Sequence, residues 1–555
     1  MELRAPQAAA VALALVAALF FAAAPTARAA GLQFPQSQTK PPTGYHRTAA
    51  KVIAIADRQP KVQAEKRKRP HIRGYAYVKR PGQWQVSYFQ GSKERAQVLI
   101  DDYSGAVVEA WTGPQVAWKM ARGYPGAFGG KLSAPYIWLP LCVLFVVPFV
   151  SPRRWRRLIH LDLLVLLAFG ASHFFFNRGE ISTSVPLAYP VLLYLLVRLL
   201  WIGFRPRPAA RGPLTWARAS WLALALVFLV GFRIALNAAD SNVIDVGYAG
   251  VIGADRIQHG KPLYNATFPK DNEHGDTYGA ANYLLYVPFE AVLPWSGRWD
   301  RLPAAHAAAV FFDLITLLGL LTLGRRLRAG PAGRTLGVAL AYAWAAYPYT
   351  LYALDSNSND TLVAAVLVWA LVALRSAPLR GALIGLGAAA KFVPLAVGPL
   401  FATAGSRHRW RGALVFSVIL ALMFAASFLP FVPHGGLRAV WDRTFGYQLG
   451  RDSPFSIWGQ HAGLAPVWTA VKVAAAGLAV LVAFVPRRKT PVQVAALGAA
   501  VLVALQIAAA HWFYLYVVWF APFAFVAFMS RYEGDPEHEA PEAAVVAQSG
   551  RLAAA

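Results

Sequence analysis

The chain has 555 residues, 57% of them hydrophobic, with a mean hydropathy of +0.41, and this rules out a single soluble globule in favour of a polytopic membrane protein. Its net charge of +27 falls mostly in short clusters between apolar runs, such as SPRRWRR (151–157), RPRPAAR (205–211), GRRLRAGPAGR (324–334) and PRRK (486–489). Such clusters fit the positive-inside rule and contact with anionic membrane lipids. They do not fit nucleic acid, because no basic module with interleaved aromatic residues stands apart from the membrane segments.

In chain order, residues 1–29 read as a signal peptide: one arginine in MELRAPQ, an apolar run from Ala8 to Ala24, and the small-x-small site Ala27-Arg28-Ala29. An uncleaved first membrane helix is the alternative, and either reading sends the chain up to about residue 133 outside the cytoplasm. Residues 30–73 are polar and basic and are expected to be a flexible tether. Over 74–133 a small extracytoplasmic α+β or β module is expected. Trp84 to Tyr88 alternate, Ala96 to Asp101 form an apolar run, and Asp102-Tyr103-Ser104-Gly105 supplies a turn before Ala106 to Trp111, which together predict a β-meander. WQVSYF and VLIDDYSGAVVEAW resemble half of a PepSY-type domain; the resemblance implies no catalytic residue and suggests an envelope protein as the partner of the module.

Eleven segments are predicted to span the membrane, near 134–150, 158–176, 185–204, 217–237, 304–324, 333–354, 360–375, 411–432, 465–485, 491–510 and 511–530. A further stretch, Ala382 to Thr403, is interrupted by Lys391, Pro394 and Pro399 and flanked on both sides by arginines. A full crossing would put one basic cluster outside, so this stretch is expected to be a re-entrant pair of half-helices entering from the cytoplasm, with Lys391 near its apex. The first three spans (134–213) are expected to form one unit, 214–531 a second and larger membrane domain, and 532–555 a disordered cytoplasmic tail. The sole cysteine, Cys142, lies in an apolar segment, so no intramolecular disulfide exists.

This topology places Asn177–Ser184, Asn237–Leu302, Asp355–Asn359 and Pro433–Leu464 outside a plasma membrane, and most of the unusual polar residues lie there. Asp240 and Asp245 open the long second loop and are followed by Tyr248, Tyr264, Tyr278, Asn282 and Tyr286. The third segment carries Asp355 and Asn359, and the fourth carries Arg451, Trp458 and His461. His511, at the start of HWFYLYVVWF, is expected at the outer mouth of the last helix pair. Carboxylates, amides and rings together suit a sugar, whose hydroxyls need polar partners and whose faces pack on aromatics.

Asp245-Val246-Gly247-Tyr248, then Gly260-Lys261-Pro262-Leu263-Tyr264, Tyr286-Val287-Pro288, and Gly385-Leu386 followed by Lys391 and Pro394 resemble, in this order, the C-type (GT-C) glycosyltransferases that use polyprenyl-phosphate sugars. The nearest likeness is to the actinobacterial mannosyl- and arabinosyltransferases, over roughly Leu214 to Arg531. The resemblance implies a GT-C-like helical membrane fold, a polyprenyl-phosphate sugar donor and a lipid or envelope-glycan acceptor. It also implies an outer-loop carboxylate acting as general base in an inverting transfer. Asp245 is the first choice for that base and Asp240 the alternative; one of them orienting the acceptor, or holding a divalent cation such as Mg or Mn, stays open, as does a capping role for either. Lys391, with Arg451 and His461 as further candidates, would meet the donor phosphate, or else Lys391 pairs with Asp313 or Asp360 or snorkels to water. A secondary transporter or lipid flippase with its site at the broken helix around Lys391 is the alternative reading.

Overall fold

The computed structural model describes residues 32–80, 82–123, 130–205, 212–405, 409–449 and 453–532. The expected signal peptide, Arg451 and the tail beyond Tyr532 lie outside the described residues.

The N-terminal module contains the expected meander and more. Strands β1 (Arg73–Arg80), β2 (Gln83–Gln90), β3 (Lys93–Asp101) and β4 (Val107–Thr112) pair antiparallel in sequence order. Residues 49–68 are not an open tether, because helices Ala49–Asp57 and Pro60–Lys68 occupy them. Ala49, Val52 and Ala56 fall on one face of the first helix and pack with Val86, Tyr88, Val98 and Ile100 of the sheet. That stripe of small apolar residues is short and embedded in basic sequence, so composition masks it.

Asp102 ties this layer together. Its carboxylate accepts the backbone N–H groups of His46 (2.6 Å) and Arg47 (3.0 Å) and the indole N–H of Trp84 (2.8 Å). Burial alone would raise its pKa, but these donors outweigh burial and hold the carboxyl below the ordinary aspartate value. Replacing Asp102 by alanine is expected to cost the module about 3 kcal/mol, since three donors lose a charged acceptor. Because the folded-state pKa is depressed, the stabilisation is complete above the ordinary aspartate pKa and is lost as pH falls through the folded value. Hydrogen exchange of β2 and β3 in the full chain, followed from neutral to acid pH, checks both statements; protection in Asp102→Ala equal to wild type would refute them.

Among the described residues, seven helices are long and apolar enough to cross a membrane: Leu158–Phe176, Ile181–Phe204, Ala219–Ala239, Pro303–Leu327, Trp410–Phe431, Ala462–Phe484 and Pro491–Ala508. Shorter apolar helices, Pro135–Phe149, Asp360–Val372, Ala377–Ala390, Val393–Thr403 and Tyr514–Met529, pack among them. The expected span 333–354 is broken into Gly330–Ala346 and Pro348–Asp355. Pro348 has no N–H and forces Tyr347 out of the helical region (φ −71°, ψ 122°), which ends the first helix. Side chains reach carbonyls at the break: Thr350 Oγ1 donates to Trp344 and Tyr347, and Arg233 donates to Ala345. Arg233 is itself paired in the core with Asp313 (2.5 and 3.1 Å), which also accepts the indole N–H of Trp344 at 2.8 Å. Asp313 is therefore engaged by Arg233, not by Lys391.

The stretch around Lys391 is a hairpin. Arg380, on the first turn of Ala377–Ala390, donates to the carbonyls of Phe401 (2.7 Å) and Ala402 (3.3 Å), near the end of the returning arm. Both arms thus start and finish at one level, and Lys391 lies at the bend. The 14-residue first arm is roughly 20 Å long at about 1.5 Å per residue. Its apex meets Asp360, the first residue of Asp360–Val372, whereas Arg326 of a basic cluster donates to Val372 at the far end of that helix. The hairpin therefore carries its lysine to the end of the bundle away from those arginines.

Candidate active site

Two buried asparagines, Asn237 and Asn357, knot one end of the bundle. Asn237 donates to Asn357 Oδ1 (2.9 Å), and Asn357 donates to Ser241 Oγ (3.0 Å) and to the carbonyl of Asn242 (3.1 Å). Asn357 holds φ at +49°, a left-handed conformation that asparagine tolerates better than most residues. The chain leading to Asp245 is laced onto this knot: Asn242 N–H bonds to the carbonyl of Asp355 (3.1 Å) and Ile244 N–H to that of Ser356 (3.2 Å). Gly247 is required by the same approach, since a Cβ there would stand 2.1 Å from the carbonyl oxygen of Asn357. The glycine of the Asp-x-Gly-Tyr motif thus has a packing reason.

At the other end of the segment 355–360, Asn359 bridges to Asn282 (2.8 Å), and Lys391 Nζ donates to Asn359 Oδ1 (2.9 Å) and Asp360 Oδ1 (2.5 Å). Trp519 Nε1 donates to the same Asp360 oxygen at 2.8 Å. The ammonium also faces three rings, Trp519 at 5.2 Å, Tyr516 at 5.7 Å and Tyr278 at 5.9 Å, distances at which cation–π attraction operates. Lys391 keeps 14% of its side chain exposed, against 1% for Asp360. Asn282 Nδ2, Asp360 Oδ2 and Tyr286 Oη are buried without a hydrogen-bond partner among the described residues. Hydrogen-bonding capacity thus remains around a cation held in an aromatic frame.

The other sequence candidates divide. Asp245 is the exposed first residue of the helix Asp245–Gln258, and its carbonyl accepts Asn272 Nδ2 at 2.9 Å. Asp240 ends the preceding helix, and its carboxylate accepts the N–H of Lys131 at 2.8 Å. Asp355 is fully buried in the knot. Tyr264 stacks on Phe428 and donates to the carbonyl of Tyr278 (3.0 Å). It also lines a groove of about 650 Å³ shared with Lys261, Pro262, Pro430, Phe431 and His434.

Tyr248 and Trp458 are not brought to Lys391. Tyr248 is buried against Trp299 and Trp295, and Trp458 is a packing residue that donates to the carbonyl of Ile507 (2.8 Å) and stacks on Trp468. His461 is exposed in its loop, and His511 bonds Ser453 Oγ at 2.8 Å. Sequence reasoning missed Trp519, which composition assigns to the membrane belt, and a bidentate pair between Arg443 and buried Asp276 (2.7 and 2.6 Å). Among the described residues no three His, Cys, Asp or Glu side chains gather as a cation site.

Residues 277–510 match the family model described as Glycosyltransferase family 87. The family 87 segment takes in Tyr278, Asn282, Tyr286, Asp355, Asn359, Lys391, Trp458 and His461, so the whole lysine cluster except Tyr516 and Trp519 falls inside it. It begins after Asp240, Asp245, Tyr248 and Tyr264 and ends just before His511. Among curated proteins, none matches the chain. The family 87 match on a chain with several membrane-length apolar helices supports a membrane glycosyltransferase, which needs a sugar donor, an acceptor and a lipid environment.

Proposed function

We propose that this protein transfers a sugar from a polyprenyl-phosphate donor to a lipid or envelope-glycan acceptor on the extracytoplasmic side of the plasma membrane, with inversion at the anomeric carbon. The observation that carries the reading is Lys391: a cation at the apex of a hairpin, framed by rings and amides inside the family 87 segment. An ammonium has three N–H donors, and two are taken by Asn359 and Asp360. The third suits an oxygen of the leaving phosphate. Asp360, engaged by both Lys391 and Trp519, holds the cation in place.

In the reaction, Asp245 accepts the proton of the acceptor hydroxyl as that oxygen attacks the anomeric carbon. The bond between that carbon and the phosphate oxygen breaks, and the electron pair leaves on the phosphate, whose charge Lys391 receives. Asp245 then returns its proton to water or to the departing phosphate. The backbone bonds from 242 and 244 to 355 and 356 support one site, because the segment 355–360 reaches from the approach to Asp245 to the side chains holding Lys391. The groove beside Tyr264 is lined by the apolar Pro430, Phe431 and Val432 and by the basic Lys261. That setting suits the prenyl chain and charged head of such a donor.

The test is transfer by the full-length protein in proteoliposomes supplied with labelled sugars on polyprenyl phosphate, in parallel with nucleotide sugars. Label moved only from nucleotide sugars would overturn the donor assignment. Accumulation of an unaltered solute inside the vesicles without covalent transfer would favour the transporter reading.

A further inference from the structure

Around the hairpin apex, three chain segments remote in sequence close into a ring. The first link joins the outer loop to the bend: Gly279 N–H donates to the carbonyl of Ala390 at 3.1 Å, and a Cβ on Gly279 would lie 1.9 Å from the carbonyl oxygen of Ala389. Only a residue without a side chain lets these two backbones approach so closely. The second link joins the bend to the fourth outer segment. Phe392, next to Lys391, stacks on Phe445 with ring centroids 3.6 Å apart, and Phe445 stacks in turn on Trp441 at 5.2 Å.

The third link returns to the start. Arg443 donates through Nε and Nη2 to the two oxygens of Asp276, and Nη2 also reaches the carbonyl of Glu273 at 3.3 Å. Asp276 is completely buried, while Arg443 keeps 29% of its side chain exposed. Two parallel N–H···O bonds fix orientation as well as distance. Residues 442–446 form a π-helical turn, a rare geometry that recurs at functional sites. Here it carries Arg443 and Phe445, so one turn supplies both of its links to the ring.

We infer that Arg443, through its ion pair with Asp276, is a positioning residue: it closes this ring and so fixes the hairpin apex and the place of the Lys391 ammonium. The inference rests on the reading of Lys391 as the group that meets the donor phosphate. Neither Arg443 nor Asp276 contacts Lys391. Their effect passes through Phe445 and Phe392 on one side and through Gly279 and the ring of Tyr278 on the other.

Two measurements on the full-length protein in lipid nanodiscs test the ring and its purpose separately. Hydrogen exchange of residues 276–281 and 386–394 is expected to rise together in Arg443→Gln and to rise less in Arg443→Lys, which keeps the charge but not the two parallel bonds. Unchanged exchange in Arg443→Gln would overturn the inference whatever the activity. In transfer assays with a polyprenyl-phosphate sugar, Arg443→Gln is expected to lower kcat/KM by about 10²-fold, the scale of a displacement of about 1 Å at a reacting centre. The same substitution in a Lys391→Met background should lower it little further, because both act on one element. Fully additive losses would overturn the positioning role even if exchange rises. If Lys391→Met alone transfers normally, the phosphate role of Lys391 fails and the positioning role fails with it, while raised exchange would still establish the ring as structure.

Discussion

Exchanging Asp245 for asparagine is expected to lower sugar transfer by at least about 10²-fold, the usual contribution of a positioned general base. Asparagine keeps the size and the hydrogen-bonding reach of the side chain but has no carboxylate to take a proton. Asp245 is the exposed first residue of its helix, where loss of the charge costs at most about 1 kcal/mol, so the fold should hold. The contrast is Asp240→Asn. There the amide oxygen still accepts the Lys131 N–H, and transfer should stay within a few-fold of wild type if Asp240 only holds that loop. Initial rates with a saturating polyprenyl-phosphate donor decide between them. Normal rates for Asp245→Asn together with loss for Asp240→Asn would exchange the two roles.

Lys391→Met should be the more damaging change, because it acts on stability and chemistry together. It leaves Asp360, 1% exposed, without its cation, and breaking a buried pair from one side costs about 3–5 kcal/mol. Transfer should also fall by about 10²–10³-fold through loss of the charge that meets the leaving phosphate. The double variant Lys391→Met with Asp360→Asn separates the two effects. It removes the stranded carboxylate yet keeps an acceptor for the Trp519 indole, so thermal stability in detergent should recover most of the way while transfer should not. Recovery of both would make the pair purely structural and remove Lys391 from the mechanism.

Much of the fold was legible in the sequence because lipid and β-sheets impose simple periodicities. Apolar runs of membrane length sit close to the helices that form, and the alternation at Trp84 to Tyr88 lies inside β2. The basic residues on both sides of Ala382 to Thr403, with Lys391 and two prolines within it, foretold a bend, and the bonds from Arg380 to Phe401 and Ala402 close that hairpin. Local chemistry competed with those patterns elsewhere. Pro348 cut one expected span into two helices, and a stripe of small residues folded part of the expected tether onto the sheet.

The candidate site was legible only in outline. Carboxylates, amides, tyrosines and one buried lysine could be named as a set, and Asp360 was already one of two partners for the lysine. By itself the sequence determined that the chain is a multi-spanning helical membrane protein, that its polar residues cluster in a few segments between spans, and that Lys391 breaks a helix. The tertiary structure decided which of these residues meet. It gave Asp313 to Arg233 and Asp360 to Lys391, took Tyr248 and Trp458 into packing, and joined Asp276 to Arg443 across 167 residues. The reason is physical: hydropathy and periodicity are properties of neighbours along the chain, whereas the partner of a buried charge is fixed by how distant helices pack, and many pairings satisfy the same local pattern.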